Sequence, residues 1–205
     1  KLAKFGFGKK TFIDLYGEQE GLLPSREWKN ESRQAPWYPG ETLNIGIGQG
    51  YFLTTPLQLA NATALLASGG ESITPHLFLK SFDVKDKNIT EYNYEDNKNT
   101  IEIDMESLHI INESMWRVIY DRKVGTASHV KKIDGIEYAG KTGTAQVYNL
   151  DKGKTGTKSL QDHALFISFA PFERPEIVVA VIIDNGGSGS AVAAPIARDI
   201  INFYF

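Results

Sequence analysis

The chain has 205 residues, 41% hydrophobic and 23% charged, a balance that fits one ordinary globular domain and excludes disordered and collagen-like classes. A net charge of −3 provides no concentrated basic face for a phosphate backbone, so no nucleic-acid partner is expected. Cysteine is absent, which removes disulfides, thiol catalysis and zinc–thiolate sites together and leaves the redox compartment open.

Residues 1–50 are dense in glycine, proline and aromatics, with Trp28, Trp37 and Tyr38 among turn formers, and read as loops and short turns pinned on something larger. The chain opens at Lys1 in what reads as the tail of an element already under way, so a piece of a longer protein is expected. A clean helix follows. Thr55 can cap it, Pro56 suits the first turn, Leu57, Ala60, Ala64, Leu65 and Ala67 form its apolar stripe, and Gly69 and Gly70 end it. Ser72 to Val84 alternate weakly around Pro75 and predict one or two short strands near an edge. Asp83 to Asp104 hold seven acids against three lysines, net −4, and read as a solvated hairpin or loop.

Asp104 or Ser107 then opens a second helix, running to about Arg122, with Leu108, Ile111, Met115, Val118 and Ile119 as its core stripe. Three β segments come next, Tyr138–Tyr148, Ala164–Ala170 and Glu176–Ile183, the last two separated by the turn Pro171–Pro175, a short link that favours antiparallel neighbours. The polar linker Asn149–Asp162 is long for a hairpin and reads as a mobile rim or a disordered stretch. After Asn185–Gly189, Ser190 can cap a final helix that buries Val192, Ile196, Ile200 and Phe203. The longest apolar run, Ile177–Ile183, is far below the roughly 20 residues a membrane helix needs, and no signal-peptide pattern opens the chain. The fold class expected is α+β, an antiparallel sheet with flanking helices.

The strongest chemical signal is Lys141-Thr142-Gly143-Thr144 inside a predicted strand. Lys141 supplies positive charge, Thr142 and Thr144 supply hydroxyl donors, and Gly143 lets a ligand backbone approach and pair with the strand. An unpaired amide at such an edge can also stabilise an oxyanion. Three further stretches accompany it: Gly46-Ile47-Gly48-Gln49-Gly50 with Thr55-Pro56-Leu57-Gln58-Leu59-Ala60; Val124-Gly125-Thr126-Ala127; and His163-Ala164-Leu165-Phe166 with Phe169-Ala170-Pro171.

In that order and spacing these motifs resemble the transpeptidase domain of penicillin-binding proteins. The opening, Lys4-Phe5-Gly6-Phe7-Gly8 through Gly21-Leu22-Leu23-Pro24-Ser25-Arg26-Glu27-Trp28 and Trp37-Tyr38-Pro39-Gly40, looks most like the class B members of rod-shape elongation. The resemblance covers nearly the whole chain apart from the acidic stretch and the polar linker. It implies the penicillin-binding transpeptidase and serine β-lactamase-like fold, represented here by the C-terminal part of one domain over residues 1–205. It also implies acylation of a serine by the D-Ala-D-Ala end of a peptidoglycan stem peptide, with a neighbouring chain's amine resolving the acyl-enzyme. Lys141, Thr142 and Thr144 would hold the terminal carboxylate, and the Thr144 amide would form half of an oxyanion hole completed by the serine's own amide. Partners implied are stem peptides, β-lactam antibiotics, the upstream half of the domain and the cell-wall elongation machinery, with no cofactor, in the periplasm on a membrane-anchored protein. The alternatives are a β-lactamase or β-lactam sensor, which WYPG and GIGQG argue against, and a non-catalytic cell-wall scaffold module.

The family's nucleophile and its lysine should precede KTGT, before this chain begins. Ser128-His129-Val130-Lys131 matches S-x-x-K by letters, but lies where a helix gives way to a strand. Ser81-Phe82-Asp83 matches S-x-D at a strand end in the wrong order. A second copy, Lys154-Thr155-Gly156-Thr157, lacks strand-like flanks and reads as a flexible rim. His163 reads as a hydrogen-bonded structural residue; His76, His109 and His129 lack metal-ligand spacing, and Gly186–Ser190 reads as a strand-to-helix turn rather than a phosphate cradle.

Overall fold

The computed structural model describes residues 1–93, 97–146 and 161–205. Helices α1 (Arg26–Arg33), α2 (Pro39–Gly46) and α3 (Pro56–Ala67) precede four short strands, β1 (Glu71–Ile73), β2 (Lys80–Phe82), β3 (Ile89–Glu91) and β4 (Lys98–Thr100). Helix α4 (Met105–Tyr120), strands β5 (Ala139–Ala145), β6 (His163–Ala170) and β7 (Ile177–Ile183), and helix α5 (Ala194–Tyr204) complete the order. The fold is α+β with antiparallel pairing, as the short turn between the last two strands predicts. Val147 and Tyr148 of the first predicted strand, most of the polar linker and the second KTGT copy lie outside the described residues.

The central sheet has the order β5-β6-β7, with Thr142 opposite Phe166 and Phe166 opposite Val181. Side chains alternate between its faces. One face buries Ala164, Phe166, Val179 and Val181 against Ala193, Ala194, Ala197 and Ile201 of the C-terminal helical segment. The other carries Phe169, Ile167 and Val178 against Met115 and Trp116 of α4 and Ala67 of α3. Burying a side chain the size of Phe166 contributes about 1.5–3 kcal/mol, so these two layers hold the strands in place.

Helix α3 starts as predicted. Thr55 Oγ1 accepts the Gln58 amide at 3.1 Å, and Gln58 Oε1 accepts the Thr55 amide at 2.9 Å, a reciprocal capping box. Gln58 is also buried, and its Nε2 donates to Lys9 O at 2.7 Å and Glu20 O at 2.8 Å. One satisfied side-chain amide therefore fastens the N-terminal segment to α3. In α4, Asp104 is the cap, accepting the Ser107 amide at 2.8 Å. Leu108, Met115 and Ile119 are buried as expected, whereas Ile111 is exposed, because it falls off the stripe that meets the sheet. The first part of the acidic stretch lies in a solvated hairpin, β3 pairing with the preceding β2 with Lys80 opposite Glu91 and Phe82 opposite Ile89, while β4 pairs with β1.

Two further expectations are corrected. Residues 1–50 contain two helices rather than loops alone. Helix α1 (REWKNESR) carries no apolar stripe to reveal it; it is started by Ser25, whose Oγ accepts the Trp28 amide at 3.1 Å. Helix α2 begins at Pro39, where the Tyr38 amide donates to Glu41 Oε2 at 2.8 Å. The two are joined by the buried Lys29, whose ammonium lies 2.5 Å from Glu41 Oε1 and over the Tyr38 ring.

The second correction is the phase of the last helix. Ser188, not Ser190, caps its start, and a π-helical turn, Gly189–Ala193, precedes α5. The buried residues are Ala193, Ala194, Ala197 and Ile201, while Ile200 is 42% and Phe203 92% exposed, with Ile196 also on the surface and Val192 half-buried. A Cβ on Gly189 would stand 2.4 Å from the carbonyl oxygens of Gly143 and Leu165. The segment starts so close to the sheet that small residues take its inner face, and the wide turn shifts the larger ones outward by about one position.

Candidate functional site

Strand β5 is an edge of the sheet among the described residues. Antiparallel pairing turns alternate residues of an edge strand inward to the ladder and leaves the others facing outward. Thr142 and Thr144 belong to the outward set, since their carbonyls are taken by side chains: Lys141 Nζ donates to Thr142 O at 2.7 Å and Gln49 Nε2 to Thr144 O at 3.1 Å. The Thr142 and Thr144 amides face outward with them.

The strand is shaped for close approach. A Cβ on Gly143 would meet Leu165 Cβ at 3.1 Å, and one on Gly140 would fall 2.5 Å from Phe166 Cζ. Gly189 abuts Gly143 at the start of the final helical segment. Alternation places Lys141 and Gly143 on one face and Thr142 and Thr144 on the other, and the exposed Lys141 side chain returns over the edge to Thr142 O. The four KTGT residues are thus gathered at one edge as an ammonium, two hydroxyls and outward peptide groups. That set can hold a carboxylate and an extended peptide.

Two loops converge here. Thr126 Oγ1 lies 3.0 Å from Thr142 Oγ1, bringing the Val124-Gly125-Thr126-Ala127 motif against KTGT. Its turn is tightly held: the Gly125 amide donates to Asp121 O at 2.8 Å, the Ala127 amide to Val118 O at 2.9 Å, and a Cβ on Gly125 would collide with the Arg117 and Asp121 carbonyls at 2.5 Å. Gln49 arrives from the end of α2. The sequence marks both motifs by resemblance without assigning either residue a contact; only the fold shows that segments 16 and 95 residues from the strand meet it.

The lookalikes sit elsewhere. Ser128 lies in a turn rather than at a helix start, and the lysine that reaches it is Lys132, whose ammonium takes the carbonyls of Ile119, Ser128 at 3.2 Å and Val130 at 3.1 Å. Burial holds that ammonium's pKa below its ordinary value. Ser81 is exposed in β2. His163 opens β6, where its Nδ1 accepts the Asn185 amide at 3.0 Å beside Asp184, a structural bond closing the turn after β7. Gly186–Ser190 forms the strand-to-helix turn. Among the described residues no three His, Asp or Glu side chains gather in a metal-binding group.

Comparison with known proteins places this geometry among relatives. A family model described as the penicillin binding protein transpeptidase domain matches residues 1–202. The peptidoglycan D,D-transpeptidase MrdA of Salmonella typhimurium is 36% identical over 211 residues, an alignment covering 100% of this chain and 33% of the relative. The structure of Pseudomonas aeruginosa PBP2 in complex with WCK 5153 is similar at a TM-score of 0.82 and 42% identity, over 99% of this chain and 42% of that one. Helicobacter pylori PBP2 in its complex with MreC is similar at a TM-score of 0.73 and 31% identity, over 99% and 34%. The chain spans about a third of the length of the curated relatives it matches.

Proposed function

This chain belongs to the penicillin binding protein transpeptidase domain family, in its penicillin-binding protein 2 branch, and from that membership we propose that it supplies one wall of a serine acyl-transfer site that cross-links peptidoglycan. The observation that carries the reading is the outward edge of β5, where Lys141, Thr142, Gly143 and Thr144 present charge, hydroxyls and outward-facing peptide groups side by side.

A stem peptide ending in D-Ala-D-Ala lies along this edge, its terminal carboxylate on the Lys141 ammonium and the threonine hydroxyls. A serine from upstream sequence outside this chain attacks the penultimate carbonyl carbon. The developing oxyanion is taken by the outward Thr144 amide and the serine's own amide, donors already in place before charge develops. The C–N bond to the terminal D-Ala breaks, that amine leaves with a proton, and an ester remains on the serine. An amine of a second stem peptide attacks the ester, forms the cross-link and returns the serine oxygen to its hydroxyl. β-Lactams enter by the same attack, their ring amide standing in for the peptide bond.

The residues 1–205 act as the C-terminal part of one domain, completed by an upstream half, in the periplasm on a protein anchored to the cytoplasmic membrane. Among the described residues no helix is long and apolar enough to cross a membrane, so this reading puts the anchor in sequence outside them. A partner in the elongation machinery is proposed on the likeness to the H. pylori protein that binds MreC.

The test is Lys141→Ala in the full-length protein, followed by peptide mass spectrometry after exposure to a penicillin. Loss of one charge-assisted bond to the carboxylate should slow acylation by about 10- to 100-fold with the melting temperature unchanged. Adducts should map to a serine upstream of this chain. Unchanged acylation removes Lys141 from the site, an adduct on Ser128 overturns the assignment of the nucleophile, and no adduct in the wild type favours the non-catalytic module.

A further inference from the structure

The GIGQG stretch has no role in the acyl-transfer scheme, yet Gln49 is the residue from outside the strand that touches the outward carbonyl of Thr144. Its backbone is fixed on both sides. The Gln49 amide donates to Asn44 O at 2.8 Å, closing the C-terminal end of α2, and it stands between Gly48 at φ +73° and Gly50 at φ +79°, left-handed positions that favour glycine. Helix α2 is in turn tied to α1 by the Lys29–Glu41 pair. The Gln49 carboxamide therefore reaches β5 from a braced loop rather than from a free side chain on a flexible tether.

We propose that Gln49 is a positioning residue of the acyl-transfer groove, setting the orientation of the Thr144 peptide through its carboxamide; the assignment rests on the transpeptidase reading. An edge strand has no neighbour on its open side to fix its peptide planes. Gln49 Nε2 supplies that missing restraint at the one residue of the strand whose amide must meet an oxyanion. A carbonyl oxygen has two lone pairs, so Gln49 can hold Thr144 O on one while the N–H of an extended substrate uses the other. The side chain thus orders the strand without closing it to the peptide.

The experiment compares the full-length wild type with Gln49→Ala and Gln49→Glu, reading the second-order rate of penicillin acylation and the melting temperature. Loss of one neutral hydrogen bond should lower the acylation rate about 3- to 10-fold in both variants at pH 7.5, with melting within about 2 °C of wild type. Glutamate matches glutamine in length but donates only when protonated. The ratio of the Gln49→Glu rate to the wild-type rate should therefore climb as pH is lowered toward 4.5, near the ordinary glutamate value of about 4.3, while the Gln49→Ala ratio stays flat. Groups common to both proteins, Lys141 on the neighbouring carbonyl and Glu41 on α2 among them, cancel in the ratio. Wild-type rates in both variants overturn the assignment. So does a loss that follows a fall in melting temperature with no recovery of Gln49→Glu at low pH, which would make Gln49 a packing residue. A wild type that takes no label brings down the transpeptidase reading itself.

Discussion

Tyr138 stands immediately before the KTGT strand, 1% exposed, and its hydroxyl is buried with no hydrogen-bond partner among the described residues. Burial, reinforced by the neighbouring Tyr120 phenol, pushes its pKa up to about 12, since the charged phenolate has lost its water. The folded-state value lies above the ordinary value of 10.0, so the stability linked to the neutral phenol is fully present below pH 10 and is lost as pH rises through 12. Removing an unpaired buried hydroxyl should cost nothing: Tyr138→Phe is expected to be neutral or to stabilise by up to about 1 kcal/mol near neutral pH. Its melting temperature should also fall less than that of the wild type between pH 10 and 12. Parallel declines in the two proteins, followed by calorimetry, would assign the alkaline loss to other groups.

At the scale of elements, the sequence announces whatever repeats with a clear period and hides whatever is fixed by a single contact. Helix α3, with Thr55, Pro56 and an apolar stripe, and the apolar runs of β6 and β7 were legible because many residues vote for one state. Helix α1 was not, because seven polar residues and a lone Trp28 hang on one cap and on the buried Lys29, a residue type that composition assigns to the surface. The candidate site divides the same way. KTGT and its strand could be read directly, whereas the meetings of Thr126 with Thr142 and of Gln49 with Thr144 depend on tertiary placement that no local pattern carries. The register of the last helix escaped for a steric reason, the seating of Gly189 on Gly143 and Leu165. Gly189→Ala is accordingly expected to force the helix start off the back of β5, a strain of about 1–3 kcal/mol of the kind that overpacking causes. Thermal unfolding and penicillin acylation of the full-length variant should both decline. Full acylation in a destabilised protein would show that the strand holds its shape without the helix behind it.

For the molecule as a whole, the exposed apolar surface is the feature to explain. Phe203, Ile200 and Ile196 form an outward row on the final helix, and β7, seven apolar residues long, has no further strand beside it among the described residues. An open strand edge next to an apolar helix face is a surface for association. If an upstream half of the domain covers it, residues 1–205 produced alone should self-associate in analytical ultracentrifugation, and co-production with the upstream segment should yield a monodisperse complex; a monomer of the isolated chain that melts cooperatively would contradict this. The burial of Gln58 has a different kind of consequence, one of sequence in time. Its partners Lys9 and Glu20 lie 49 and 38 residues away, and its Oε1 is already committed to the start of α3. The N-terminal stretch can lock only after that helix has formed, so although it is synthesised before α3 it becomes native no earlier than α3 does.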